Sequence, residues 1–312
     1  MQHMKTYSNS RDLIKTCADP CVLKHRGIYY LYCTAETSDA DIGIPVYKST
    51  DLVNWEGPYG NAPNGFALHK NDVWGEKWFW AGEVIKKNGK FYMYPTAEEH
   101  LIAAVSDSPL GPFKQEIKKP MHDFREIDAG AFNDDDGKSY FYFVRFDKGN
   151  IIYAAEFNED MISIKEDTVT ECIRPELPWE KGPYEPYWPV TEGPYTFKRK
   201  GIYYLVYTAN HFLSKEYSIG YATSKSPLGP WEKYTKPIIK RSDKVNGPGN
   251  GMFIESPDGS EIFLAYHVHC DLEKPTPRRL AIDRVIFEKR SDGGADIIKI
   301  NGPTVDEQPM PK

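Results

Sequence analysis

The chain has 312 residues, 40% of them apolar, which suffices for one large domain or two ordinary ones with a sizeable core. A net charge of −6 with no long basic run argues against a nucleic-acid partner, and no stretch approaches the ~18 apolar residues of a membrane span. Five cysteines, an odd number in a long chain, argue against a disulfide framework, and no second Cys/His pair stands at zinc spacing, so buried free thiols are expected.

The first ten residues, "MQHMKTYSNS", contain no apolar run of the signal-peptide kind, and the compartment is left open. From "TCADPC" at Thr16 onward the chain repeats itself. Five aromatic-rich stretches each follow a glycine: "GIYYLYCTAE" at Gly27, "GKFYMYPTAE" at Gly89, "GKSYFYFVRF" at Gly137, "GIYYLVYTAN" at Gly201 and "GSEIFLAYHVH" at Gly259. A shorter apolar stretch and a polar turn precede each glycine, which reads as strand, tight turn, strand. A third strand follows ("IGIPVYKS", "IAAVSDS", "IIYAAEFN", "IGYATSKS"), and turns such as "SPLGPF" and "SPLGPW" lead to a fourth. Four-stranded antiparallel units at a period of roughly 50 residues predict an all-β, five-bladed β-propeller. A single domain over 1–312 is expected, with blades beginning near 16, 80, 128, 192 and 250 and a short C-terminal tail at 301–312.

The first strand of each blade lines the axis, so equivalent repeat positions converge on one funnel. Counting back eight or nine residues from each hairpin glycine gives Asp19, Trp80, Asp128, Glu192 and Asn250. Three carboxylates in one cavity perturb one another's proton affinities. Asp128 and Glu192 come from adjacent blades, whereas Asp19 lies about 144° from both in a regular five-fold ring. The adjacent pair is expected to keep Glu192 protonated while Asp19 stays ionised across the funnel, an acid and a base on opposite sides of a bond. Ionic pairing or cation binding is the bland alternative. The ends of the second strands supply a second ring, Glu36, Glu98, Arg145, Asn210 and His267, with His267 the candidate ion ligand or a hydrogen-bonded core histidine. Trp179, Tyr184, Tyr187 and Trp188 cluster in a Gly/Pro-broken loop before Glu192, where funnel-mouth loops carry specificity.

At "ADP", "IDAGAF", "VTEGPY", "GPGNG", "AYHVH" and "RRLAIDRV" the chain resembles the propeller glycosidases of glycoside hydrolase family 43. The resemblance implies an inverting enzyme on arabinose- or xylose-containing plant polysaccharides, an exo-acting α-L-arabinofuranosidase or β-xylosidase. It assigns Asp19 as general base, Glu192 as general acid and Asp128 as the group that tunes the acid. Trp80 and Asn250 by their repeat position, Trp188 by its loop and Arg145 by the second ring are expected against substrate, and the resemblance adds Arg278 or Arg279. It implies no cofactor for the chemistry, and a structural calcium near the axis with His267 beside it. Two motifs depart from the family pattern: Asn250 stands where a histidine is common, and "WAG" stands for "WAP" at Trp80 to Gly82. A retaining fructan hydrolase of the related clan and a non-catalytic carbohydrate-binding propeller are the competing readings.

Overall fold

The computed structural model describes residues 5–312 apart from 12, 15 and 183–187. Strand β1 (Thr6–Tyr7) precedes five four-stranded sheets. Blade one holds β2 (Ala18–His25), β3 (Ile28–Thr34), β4 (Gly43–Ser49) and β5 (Phe66–His69). Blade two holds β6 (Trp80–Lys87), β7 (Lys90–Ala97), β8 (His100–Leu101) and β9 (Ala104–Ser106). In blade two, β8 and β9 are two halves of one interrupted strand, both paired with β7. Blade three holds β10 (Glu126–Asn133), β11 (Ser139–Phe146), β12 (Asn150–Glu156) and β13 (Thr170–Ile173). Blade four holds β14 (Thr191–Arg199), β15 (Ile202–Ala209), β16 (Ser218–Ser224) and β17 (Glu232–Lys233). Blade five holds β18 (Gly249–Glu255), β19 (Ile262–Val268), β20 (Arg279–Glu288) and β21 (Ile297–Ile300).

The aromatic runs after each glycine are the second strands, and their composition follows from their position. Each is buried on both faces, so its apolar residues run continuously instead of alternating with polar ones. In β3, Tyr30 and Tyr32 pack toward Phe91 and Met93 of blade two, while Tyr29, Leu31 and Cys33 pack toward Phe263 and Ala265 of blade five. The same division recurs around the ring. Tyr94 meets Phe141 and Phe143, Val144 meets Leu205 and Tyr207, and Val206 meets Leu264 and Tyr266. Each apolar cluster thus joins two neighbouring blades. All five cysteines are free, and Cys17, Cys21 and Cys33 are buried in these layers.

The hairpins between first and second strands have the expected glycines at positive φ, from 75° to 90°. Open space surrounds the Cα of Gly27, Gly89, Gly137 and Gly201, so the turn's left-handed backbone alone accounts for the residue type there.

The segment expected as a tail is instead a strap. Strand β22 (Gln308–Pro309) pairs with β1 and ties the two ends of the chain together. Beside it, Asn9 is buried and grips Ile282 of β20 with both ends of its amide: Nδ2 donates to the Ile282 carbonyl at 3.0 Å and Oδ1 accepts its N–H at 3.1 Å. Tyr7 and Ser8 add hydroxyl bonds to the carbonyls of Ile282 and Val305. Asn9→Ala leaves the buried Ile282 N–H without an acceptor, while the carbonyl keeps the Tyr7 hydroxyl, so it should destabilise the fold by about 1–3 kcal/mol. Denaturant melts of the two proteins check this, and an unchanged midpoint would show that the strap carries no stability.

Candidate active site

The axis is built from five β-bulges. In each first strand, two residues oppose one on the second strand, and the first of the two has positive φ: Asp19 (49°), Ala81 (45°), Asp128 (52°), Gly193 (60°) and Asn250 (47°). Asp and Asn tolerate this region better than most side chains. A bulge turns its N–H out of the ladder, and that donor needs a partner.

The partners form a ring. The Asp128 N–H donates to Thr96 Oγ1 at 3.2 Å, the Ala81 N–H to Thr34 Oγ1 at 2.8 Å, and the Asn250 N–H to Thr208 Oγ1 at 2.8 Å. Each threonine lies on the second strand of the preceding blade. In blade five the corresponding side chain is His267, whose Nδ1 accepts the Asp19 N–H at 3.1 Å. In blade three the register position is Val144, which cannot accept; the Gly193 N–H goes instead to Asp128 Oδ2 at 3.2 Å.

This ring corrects the repeat count. Trp80 and Glu192 were expected level with Asp19, Asp128 and Asn250. They stand one residue earlier, level with Ala18, Ile127 and Gly249. Hairpin length is the cause. The loops of blades one, two and four span two residues, and those of blades three and five span five and six (134–138 and 256–261). The turn glycine therefore lies eight residues past the bulge in the short hairpins and nine in the long ones.

The offset still brings the carboxyls together. Asp19, Asp128 and Glu192 line one funnel of about 600 Å³, with Trp80, Trp188 and Arg278 on its walls. Trp80 stacks on Trp78, with centroids 6.0 Å apart and planes 14° from parallel. Arg278 is the arginine that enters the site. Its Nη1 donates to Asp19 Oδ1 at 3.1 Å, its Nε to Glu36 Oε1 at 2.8 Å, and its guanidinium lies over Phe212.

Other expected contacts fall elsewhere. Arg279 Nη1 reaches the Asn9 carbonyl at 3.5 Å, away from the funnel. Arg145 pairs with buried Glu126 (Nε to Oε1, 2.7 Å) and spreads over Phe124, Phe143 and Tyr153. Its position opposite Glu126, one past Val144, turns it off the axis. Asn250 lies beneath the funnel, lining a cavity of about 20 Å³, and donates Nδ2 to Asp19 Oδ1 at 2.9 Å. Trp179 packs on Tyr207 and is part of the interblade layer. Tyr184 and Tyr187 lie outside the described residues.

His267 sits in the hydrogen-bonded setting of a core histidine. Its Nδ1 is engaged by Asp19, its Nε2 faces the Arg278 guanidinium at 3.5 Å, and its ring stacks on Tyr217. Burial, and then the charge of Arg278, push its proton affinity well below the ordinary value, so it is neutral. No group of three His, Cys, Asp or Glu side chains among the described residues is arranged to hold a metal, so a calcium beside His267, which takes six to eight oxygen ligands, would draw most of them from water.

The three carboxyls sit in different electrostatic environments. Burial would raise Asp19, but the Arg278 guanidinium and hydrogen bonds from Asn250 and the Thr34 hydroxyl (2.8 Å) outweigh it, and its proton affinity lies below the ordinary 3.8. Burial, then the charges of Glu192 and Asp19, push Asp128 well above the ordinary value. Glu192 is also raised, chiefly by burial, against hydrogen bonds from Tyr217 (to Oε1, 2.7 Å) and Asn150 (to Oε2, 2.9 Å). One carboxyl of lowered proton affinity thus shares the funnel with two of raised affinity. That combination can activate a nucleophile on one side of a bond and protonate a leaving group on the other.

Glu36 of the expected second ring does line the funnel; sequence reasoning missed Thr34, Thr96, Thr208, Asn150 and Tyr217. The threonines were visible as the shared first letter of "TAE", "TAE" and "TAN". Asn150 and Tyr217 sit on the third strand of blade three and just before that of blade four, where no repeat signal points to the axis.

A five-bladed propeller with carboxyls converging on an axial funnel defines a class of proteins that work at one end of the axis. The chain belongs to the glycosyl hydrolases family 43, whose model matches residues 13–293. Among solved structures it is similar to a thermostable family-43 glycoside hydrolase (TM-score 0.86, 41% identical, covering 98% of this chain and 99% of that one). It is also similar to an endo-1,4-beta-xylanase from Bacteroides thetaiotaomicron (TM-score 0.83, 36% identical, covering 98% and 99%). Among curated proteins it resembles a beta-D-galactofuranosidase of Aspergillus niger (28% identical, covering 61% of this chain and 52% of that one). It also resembles a xylosidase/arabinosidase of Humicola insolens (30% identical, covering 45% and 50%). The chain thus spans about half the length of these two curated relatives.

The ring generates a stability test. Thr208→Val keeps the side-chain shape but leaves the Asn250 N–H without its acceptor, so it should cost about 1–3 kcal/mol. Chemical denaturation checks this, and a Thr208→Val protein as stable as the parent would show that the ring bonds are dispensable.

Proposed function

We propose that the protein is an inverting, exo-acting α-L-arabinofuranosidase or β-xylosidase, with Asp19 as general base, Glu192 as general acid and Asp128 as the group that orients and tunes the acid. The observation that carries this reading is the split in proton affinity across one funnel: Arg278 beside Asp19 lowers its affinity, while burial raises that of Glu192. Asp19 and Glu192 stand on blades one and four, separated by blade five, which suits a water and a glycosidic bond between them. Asp128 accepts the N–H of Gly193, the residue after Glu192, and so fixes the backbone that carries the acid.

In this mechanism the Asp19 carboxylate takes a proton from water as the water attacks the anomeric carbon, and Glu192 gives its proton to the departing glycosidic oxygen. Arg278 and Thr34 hold the Asp19 carboxylate in place. Family membership and the printed names of the relatives support a pentose-type glycoside as substrate. A galactofuranosidase among the relatives favours furanosides as a class, and the xylanase neighbour makes internal cleavage the competing mode of action.

Asp19→Asn should abolish turnover on every glycoside while leaving the melting temperature close to that of the parent. Glu192→Gln should lose most activity on disaccharides and much less on nitrophenyl glycosides, whose leaving group departs without a proton. Proton NMR in the first seconds of hydrolysis should show the inverted anomer. A retained anomer, or equal losses on both leaving groups, would overturn the assigned roles.

The pH dependence has a defined sign. Asp19 must be ionised, and its lowered affinity keeps it so until the pH falls below the ordinary 3.8. Glu192 must be protonated, and its raised affinity keeps it so to a pH above the ordinary 4.5. kcat/KM on a disaccharide should therefore be bell-shaped, with limbs on either side of that interval. An alkaline limb that persists in Glu192→Gln would remove Glu192 from that role.

A further inference from the structure

The loop before β14 contributes more than a wall to the funnel. The Trp188 side chain is exposed over 43% of its surface on the funnel side, yet its indole N–H donates inward to Asn150 Oδ1 at 2.7 Å. Asn150 is buried, and its Nδ2 donates on to Glu192 Oε2 at 2.9 Å. An indole N–H can only donate, so it fixes the amide's orientation. The Asn150 oxygen must face Trp188, and its NH₂ must face Glu192.

The backbone pins the relay at the same place. The Asn150 N–H donates to the Pro189 carbonyl at 2.8 Å, and the Asn150 carbonyl accepts from Thr191 Oγ1 at 3.0 Å. At Gly149, φ is 145° and an added Cβ would lie 2.5 Å from the Pro189 oxygen, so the close approach of the two segments requires glycine.

We infer that Trp188 is a positioning residue that acts through Asn150 on the Glu192 carboxyl, determining which oxygen receives a permanent donor and so where the acid's proton can sit. With Asn150 locked as a donor to Oε2, the lone pair it occupies cannot carry the proton. The Oε1 side faces Tyr217, whose hydroxyl can donate or accept. The proton is thereby directed away from the amide. The wall an incoming sugar meets is also the outer end of the chain of hydrogen bonds that sets the acid. This inference rests on Glu192 being the acid.

A donor aimed at a carboxylate favours its charged form. The other charged or titratable groups facing Glu192 are Asp19, Asp128, Arg278 and Tyr217. None of these is altered by changing Trp188. Trp188→Phe keeps an aromatic face and removes the N–H, which frees the amide to rotate. The test is a carboxyl ¹³C NMR titration of glutamate-labelled protein, with the Glu192 signal assigned by its loss in Glu192→Gln. Trp188→Phe and Asn150→Ala should each raise the Glu192 midpoint by about half a pH unit or more, a roughly threefold change in proton affinity. The double variant should move no further than Asn150→Ala alone, because both changes break one path. A midpoint unmoved in Trp188→Phe, or shifts that add in the double variant, would overturn the inference. A purely structural Trp188 would lower stability or raise KM without moving the midpoint. The titration needs no turnover, so failure of the acid assignment, seen in the leaving-group comparison, stays distinguishable from failure of the relay.

Discussion

Five N–H groups, one per blade, are turned out of their ladders by the axial bulges, and the rest of the site depends on where they find acceptors. A bulge is required if a first strand is to aim a side chain along the axis, but each bulge exposes a donor in a region with little water. Three threonines, one histidine and one catalytic-site carboxylate meet that need. The ring therefore does two jobs with the same atoms. It joins each blade to the next at the axis, and it sets the positions of Asp19 and Asp128 to the accuracy of a hydrogen bond. His267 belongs to this ring by geometry, which explains why it is neutral and why its Nδ1 is the accepting nitrogen.

The same burial gives the three carboxyls unlike charge states. All three are withdrawn from water, and burial is the first cause of perturbation for each. Only Asp19 has a guanidinium beside it, and that difference reverses the sign. Glu36 anchors Arg278 on its far side, through both the guanidinium and the Arg278 backbone N–H. The charge separation across the funnel thus traces to one buried arginine and the glutamate that holds it.

Much of the fold was legible because the second strands are buried on both faces and write themselves as aromatic runs. The hairpin glycines then supplied a ruler, and that ruler reached Asp19, Asp128 and Glu192. It failed by one residue at Trp80 and Glu192 because it was anchored in the loop, whose length varies, and not in the bulge, whose position is fixed. Arg145 was misplaced for a related reason. The count fell one residue past the ring position held by Val144, and strand alternation turns Arg145 off the axis. Arg278 and Arg279 are neighbours at the start of β20 and point to opposite sides, which no composition or spacing distinguishes. Asn150 and Tyr217 reach Glu192 from the third-strand side of the blades, and only the closed ring brings those ends to the axis.

The partners of Asp19 come from the far end of the chain. Its N–H is satisfied by a residue 248 positions later and its carboxylate by an arginine 259 positions later. Contacts between residues so far apart in sequence are slow to form in folding. The burial of Asp19 and the groups that offset its cost therefore arrive in the same event, the closing of blade five onto blade one.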